Sequence, residues 1–427
     1  PKLRGMDRLP PGEPVTADDF VAALRRAVAP DTGAPFASVL YPIANAAAIN
    51  TATADAPVDV ATLGVAATGT KTLTITLEQP APYLPEILTH TIALPVHRAS
   101  LAEHGSNAFQ PAAIVGNGAF AMSGFDEDHR ATLVRRTDYW DAANVALDAV
   151  VYEPTDDQMA AVRAFAAGER DVSTPYPADE QAALGERLGA DVVRLTPTLS
   201  ETAIVFDTRK PPFSDVRVRR ALAMVVDRSA IAATGVARPE VPLETVVPPG
   251  IAGYSPAVAP YAGMTRAERL AAARDLLRDA GFGGDARPLA VTLRYATGHG
   301  RDAAIAAIVA AWTEIGVSVT PAAADTRDHY AALAGGAPFD AARVTFTADY
   351  ADPHAFLAPY VSGAPAFNFG GWQNTRYDEV MARAGNERDA AARSDLLAEA
   401  EAILLAEQPI VPLTAFAAPW LVSKAVS

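Results

Sequence analysis

The chain has 427 residues, half of them apolar and 20% charged, and a formal net charge of −15 at pH 7. That length suits two or three domains around a sizeable core, and the composition excludes a disordered chain. The acidic balance argues against nucleic acid or anionic lipid as a partner, and the absence of cysteine excludes disulfides, thiolate metal sites and cysteine nucleophiles.

Thr16, followed by Ala17, Asp18 and Asp19, predicts a helix start of the capping-box kind with acid in its first turn. Phe20, Val21, Leu24 and Val28 mark the inward face, and Pro30-Asp31-Thr32-Gly33 ends it. Residues 72–77 alternate with period two and predict a half-buried strand, which Pro80, Pro82 and Pro85 interrupt. Residues 131–136 predict another strand, in a small α+β unit. From 147 the rhythm changes to a strand at 149–153, a helix at 158–167 and a return to the sheet at Val172. That βαβ-like order is expected of a parallel or mixed sheet. A strand at 204–207 leads through the loop 208–213 to a helix capped by Ser214 and Asp215, with Val218, Leu222, Val225 and Val226 inward. Next come a helix at 265–280 closed by Gly281, a strand at 289–295, a helix at 301–315 and a strand at 317–319. Helices at 378–384 and 390–406 and a strand at 410–413 complete the pattern. No run of about 20 apolar residues is present, so no membrane-crossing helix is expected.

The sequence holds no GxSxG, P-loop, HExxH or GxGxxG motif. Its histidines (90, 97, 104, 129, 299, 329 and 354) are scattered, so neither a metal nor a cofactor is expected. The acid pairs Asp156/Asp157 and Asp18/Asp19 read as helix caps rather than as a glycosidase dyad. An enzyme would need a nucleophile and a base, and no such pair is recognisable.

Asp349 stands apart, at the end of the apolar stretch Phe346-Thr347-Ala348. A carboxylate at the end of a buried strand needs a partner. Arg343 of the same strand would make it a structural acid. A ligand cation, such as the α-ammonium of a peptide, would make it a binding site.

Several segments resemble, in order, those of the bacterial oligopeptide-binding proteins, family 5 of the extracytoplasmic solute-binding receptors of ABC importers. They are Gly12-Glu13-Pro14-Val15-Thr16-Ala17-Asp18-Asp19-Phe20-Val21, Gly116-Asn117-Gly118-Ala119-Phe120, Asp138-Tyr139-Trp140-Asp141, Pro212-Phe213-Ser214-Asp215-Val216-Arg217-Val218-Arg219 and the stretch from Phe339-Asp340 to Pro353. The resemblance implies an α/β fold of the type II periplasmic-binding-protein class, in its large three-domain form. Two lobes joined by a hinge would enclose the ligand beside an extra α+β domain. It places the extra domain with part of lobe I at 1–147, lobe I at 148–199 and 417–427, and lobe II at 200–416, with hinge strands near 199–207 and 410–420. The chain starts close to the family's first helix, so the strands that precede it there are expected to be missing. No signal peptide or lipid-attachment cysteine is visible, although the family is exported and its members are commonly lipoproteins.

By the same resemblance the ligand is an oligopeptide, the partner is a membrane permease, and the receptor is a monomer. Asp349 would hold the peptide's ammonium group, with Arg343 beside it. Tyr41, Phe346, Arg301 and Phe416 fall at ligand-facing positions, and Trp372 in Gly370-Gly371-Trp372 could face the cleft. Trp140 and Trp312 fit packing motifs. The disulfide of close relatives falls at Ser200 and Thr347, and one of their carboxyl-pairing arginines falls near Ala334, so both features are lost. A receptor for a dipeptide, an oligosaccharide or a nickel complex, or a truncated homologue that no longer binds, is the alternative.

Overall fold

The computed structural model describes residues 14–126, 128, 130–235, 239–283, 287–298, 301–364 and 367–426. Gly12, Glu13, His129 and His299 lie outside the described residues. The chain divides into two compact units, one ending at Asp156 and one starting at Asp157.

The first unit contains helices α1 (Ala17–Val28), α2 (Ala46–Asn50), α3 (Leu84–Ile87) and α4 (Arg98–His104). Its strands are β1 (Val65–Gly69), β2 (Thr72–Ile75), β3 (Phe120–Phe125), β4 (Ala131–Arg135) and β5 (Ala149–Tyr152). Asp19 fixes the start of α1: its Oδ2 accepts the Thr16 backbone N–H at 2.7 Å and the Thr16 hydroxyl at 2.9 Å. Its Oδ1 takes Arg98 Nε at 2.9 Å. Burial opposes ionisation of this carboxyl, but the hydrogen bonds from Thr16 and Arg98 outweigh it and hold Asp19 below the ordinary carboxylate range. Leu24 and Val28 of α1 are fully buried, as the helical spacing predicts. β1 and β2 form an antiparallel hairpin, and β3, β4 and β5 a separate antiparallel sheet. Arg136 forks onto Asp138 at 2.9 and 2.8 Å and reaches the Gly116 carbonyl at 2.7 Å. Two of the motif segments are thereby tied together. Trp140 departs from its expected packing role: it is 49% exposed and lies against Tyr139.

The second unit begins with helix α5 (Gln158–Ala166), strand β6 (Val172–Ser173), helix α6 (Gln181–Leu188) and strands β7 (Val193–Pro197) and β8 (Ser200–Phe206). Helices α7 (Val216–Met224) and α8 (Arg228–Ala232) precede strand β9 (Glu240–Pro242) and helix α9 (Arg266–Asp279). Strand β10 (Leu289–Ala296), helix α10 (Arg301–Thr313), strand β11 (Val317–Ala324), helix α11 (Thr326–Ala334) and strand β12 (Ala341–Thr347) come next. Helices α12 (His354–Leu357), α13 (Thr375–Asn386) and α14 (Ala390–Glu407) and the long strand β13 (Ile410–Val422) close the chain.

The βαβ pattern expected over 149–172 is not formed. β5 belongs to the antiparallel sheet of the first unit, whereas β6 pairs antiparallel with β13. A strand–helix–strand order in sequence does not require both strands to share a sheet, and here the boundary between units falls between them. Parallel pairing occurs further on, where β10 lies between β11 and β12.

The sheet of the second unit runs β11-β10-β12-β8-β13-β6, with β7 and β9 also on β13. All seven residues of β8 are buried, as suits a central strand covered on both faces. β13 is the unifying element. Its residues 410–414 pair with β8, 414–416 with β9, 417–421 with β7 and 421–422 with β6. Pro412 cannot donate to the ladder, and the register shifts between Pro412 and Thr414. Its free carbonyl instead accepts buried Arg228 Nε at 2.8 Å. The core stacks Phe206 on Phe213 at 5.3 Å and near Trp312, whose Nε1 donates to the Leu222 carbonyl at 3.0 Å. Arg219 is a buried clip to the Phe213 carbonyl at 2.7 Å and the Glu407 carbonyl at 2.9 Å.

Candidate functional site

β12 delivers two of the expected site residues, Arg343 and Phe346, and sends them to different sides, because alternate positions along a strand face opposite sides. Arg343 takes one side and Phe346 the other. Arg343 is 6% exposed, and its guanidinium approaches Glu240 of β9 at 3.8 Å. The other Glu240 oxygen accepts the Thr414 hydroxyl of β13 in a short hydrogen bond. Phe416 sits opposite Glu240 in the β13–β9 ladder, so Arg343, Glu240, Thr414 and Phe416 form one cluster. Arg343 Nε has no hydrogen-bond partner among the described residues. Burial pulls the Arg343 guanidinium below its ordinary value, while Glu240 pushes it back up. Arg301 opens α10, with Nη1 on the Thr297 carbonyl at 2.9 Å. Behind these arginines His329 Nε2 donates to the Arg343 carbonyl at 3.0 Å. Its burial, and secondarily the charges of Arg294, Arg301 and Arg343, hold the imidazole at about 4, hence neutral at pH 7.

Asp349 lies two residues beyond the end of β12 and is exposed, not buried in a strand end as the apolar run had implied. Arg343 is not its partner. Among the described residues Asp349 has neither a hydrogen bond nor an ion pair, while Arg343 faces Glu240. Phe346 is partly exposed and meets Phe356 and Phe367 edge-on at 5.4 and 5.0 Å. Trp372 is buried rather than open to solvent: it is 4% exposed and packs on buried Tyr377 at 5.1 Å. Gly370 explains that segment, because a Cβ there would stand 1.9 Å from the Phe206 carbonyl oxygen. Tyr41 belongs to the first unit, where its hydroxyl donates to Asn50 Oδ1 at 2.9 Å.

A cleft of about 610 Å³ opens within the second unit. α6 and β7 contribute Gln181, Val193 and Leu195, with Asp179 just ahead of α6, while α8 and β9 contribute Ser229 and Glu240, with Ala233 just after α8. Its volume is in the range of small-ligand sites. Glu240 joins the cleft to the arginine cluster.

Three acids escaped the sequence reading. Glu240 stood in the polar-looking segment Pro239-Glu240-Val241-Pro242, with no periodicity to mark it. Glu401 had a visible signal, since it interrupts the apolar stripe Leu397, Ala400, Leu404 of α14. It is fully buried and accepts Val247 N–H at 2.8 Å, Ala257 N–H at 2.9 Å and the Tyr254 hydroxyl at 2.6 Å. Burial still raises its carboxyl above the ordinary range despite those bonds. Glu201 had a fainter one, as an acid between Ser200 and Thr202 just ahead of the apolar run Ala203-Ile204-Val205-Phe206.

Residues 11–368 match the family model of bacterial extracellular solute-binding proteins, family 5. The chain belongs to this family. It is 34% identical over 405 residues to a probable deoxycholate-binding periplasmic protein of Escherichia coli (strain K12), covering 94% of this chain and 74% of that one. It is 31% identical to the periplasmic murein peptide-binding protein of the same strain, covering 98% and 78%. The unliganded open form of a periplasmic murein tripeptide-binding protein superposes with a TM-score of 0.89 at 30% identity, covering 99% of this chain and 81% of that one. A Haemophilus influenzae oligopeptide-binding protein in complex with RPPGFSPFR gives 0.66 at 27% identity, covering 99% and 82%. These likenesses place the family 5 chain in the type II periplasmic-binding fold, and such relatives are binding proteins by name rather than enzymes.

Proposed function

We propose that this family 5 protein is the extracytoplasmic receptor of an ABC importer for oligopeptides. It binds them in the second unit and passes them to a membrane permease, as a monomer and without making or breaking a bond. The observation that carries the peptide reading is the state of Asp349. It is exposed and unpartnered among the described residues, while Arg343, its candidate mate, faces Glu240. An acceptor-only group left open suits a peptide's α-ammonium, with charge-assisted bonds that ignore side-chain identity. Arg343 and Arg301 are the groups proposed for the ligand's carboxylate end, and Phe346 and Phe416 for apolar contacts. Tyr41 lies in the first unit, where its hydroxyl serves Asn50, and is not assigned to this site. The ligand would lie between lobe I (148–199 and 417–427) and lobe II (200–416), whose residues both line the cleft.

Thermal unfolding with tri- to hexapeptides tests this. A ligand that binds only the folded state raises the midpoint, by about 2.7 kcal/mol of stability at a hundredfold excess over Kd. The expected result is a shift in the wild type that is lost in Asp349→Ala. A cooperative protein that shifts with no peptide overturns the reading. The 34% identical relative named for deoxycholate favours a second reading, an amphipathic carboxylate ligand. Such a ligand has no ammonium group, so its binding would survive Asp349→Ala and fail in Arg301→Ala.

A further inference from the structure

Glu201 of β8 is 2% exposed, and its Oε1 has no hydrogen-bond partner among the described residues. It stands directly opposite Phe346 in the β8–β12 ladder, on the same face. Both line a small cavity whose other walls include Phe356, Tyr360 and Phe367. Among the described residues no lysine, arginine or histidine lines it. Tyr360 is the other titratable group there, and Glu401 is the charged residue whose field also acts on Glu201. A buried carboxyl with an orphaned oxygen and aromatic walls is costly for the protein alone. The same group is well suited to a cation, because ring faces attract cations and the carboxylate supplies the countercharge.

We propose that Glu201, with Phe346, Phe356, Tyr360 and Phe367, forms a specificity subsite that takes a compact ammonium group carried by the ligand, such as a lysine side-chain head. The subsite rests on the peptide reading above. Its free volume is about 10 Å³, on the scale of one water-sized group, which admits an ammonium head and not a planar guanidinium. Phe346 and Phe367 are partly exposed, so the cavity lies one side chain beneath the surface. Phe346 is three residues from Asp349, at most about 11 Å along the chain, so one peptide can reach both acids. Entry of the ammonium makes the ionised form of Glu201 the favoured one, and its proton passes to solvent. The uncharged analogue norleucine keeps the four-carbon stem, lacks the terminal ammonium and leaves the orphaned oxygen unpaired.

Calorimetric titration of the intact protein with trialanine, and with trialanine carrying lysine or norleucine at each position in turn, tests this. For wild type the expected result is at least a tenfold preference for lysine over norleucine at one position. Buffers of different ionisation enthalpy should show proton release with the lysine peptide and none with its norleucine counterpart. Glu201→Gln should bind trialanine as wild type does and lose both the preference and the proton release. Binding of trialanine with no lysine preference at any position overturns the subsite and leaves the peptide reading standing. A preference that survives in Glu201→Gln overturns it equally. Failure of every peptide, trialanine included, overturns both.

Discussion

A single side chain shows how a buried charge writes itself into the pH dependence of the whole protein. Burial, aided by the negative charge of Glu401, raises the Glu201 carboxyl well above the ordinary glutamate value. The folded state therefore holds this proton more tightly than the unfolded state does. Stability from this residue is complete below the unfolded value, near 4.5, and is lost as pH rises toward the raised folded value. Glu201→Met removes the dependence along with the orphaned oxygen. Urea unfolding should show the variant more stable than wild type at pH 8, by about 1–3 kcal/mol, with the gap narrowing toward pH 5. An equal gap at both pH values would refute the buried, neutral acid. Asp352 and Arg393 behave differently, as a bidentate pair at 2.8 Å with both side chains largely buried. Arg393→Met alone leaves Asp352 uncompensated and should cost about 3–5 kcal/mol, whereas Arg393→Met with Asp352→Leu should recover much of it. A double variant no more stable than the single one would count against the pair.

At the scale of the element, register decides which side chains meet. Ser200 and Thr347, the positions where the resemblance implied a lost disulfide, are direct cross-strand partners in β8 and β12. The Ala348 N–H donates to the Leu199 carbonyl at 2.8 Å. Ser200 and Thr347 therefore occupy the adjoining pair without mutual hydrogen bonds, where Cα atoms stand about 4.5 Å apart. That spacing suits a disulfide. Ser200→Cys with Thr347→Cys should oxidise spontaneously and close a long loop, adding about 4–5 kcal/mol on the chain-entropy model. The check is the thermal midpoint with and without reductant. No difference, with free thiols persisting under oxidising conditions, would place the two strands in another register. Both strands were legible in the sequence, one from the apolar run at 204–207 and the other from the apolar stretch that ends before Asp349. Their pairing was not, because period two says which residues share a face and nothing about which strand lies alongside.

For the whole molecule, elements with strong periodicity or a cap were readable from sequence: α1 from Thr16 to Val28, α9 between Thr265 and Gly281, and the inward residues of α7. The family, and with it the class of fold, was readable from ordered motifs. What stayed hidden depends on distant neighbours. The sequence offered Ile410-Val411-Pro412-Leu413 as a short crossing strand, and β13 is instead 13 residues long, ending at Val422. Pro412 and Pro419 look like breakers, yet each sits buried in the ladder, Pro419 opposite Leu195 and Pro412 opposite Ala203. The segment is extended because β8, β9, β7 and β6 all supply partners to it. The same geometry makes β13 the strand on which the second unit depends. Four strands would each lose a backbone partner without it, β8 keeping only β12, and unpaired buried N–H and C=O groups are costly. It would also take away the fully buried side chains of Ile410, Val411, Leu413 and Leu421. Ending the chain after Pro409 should therefore abolish cooperative unfolding of the second unit, whereas ending it after Val422 should leave the midpoint within about 2 °C. Thermal unfolding followed by tryptophan fluorescence distinguishes the cases, since Trp312 and Trp372 lie in this core. A sharp transition in the shorter chain would show that β8 is held by β12 and the helices alone.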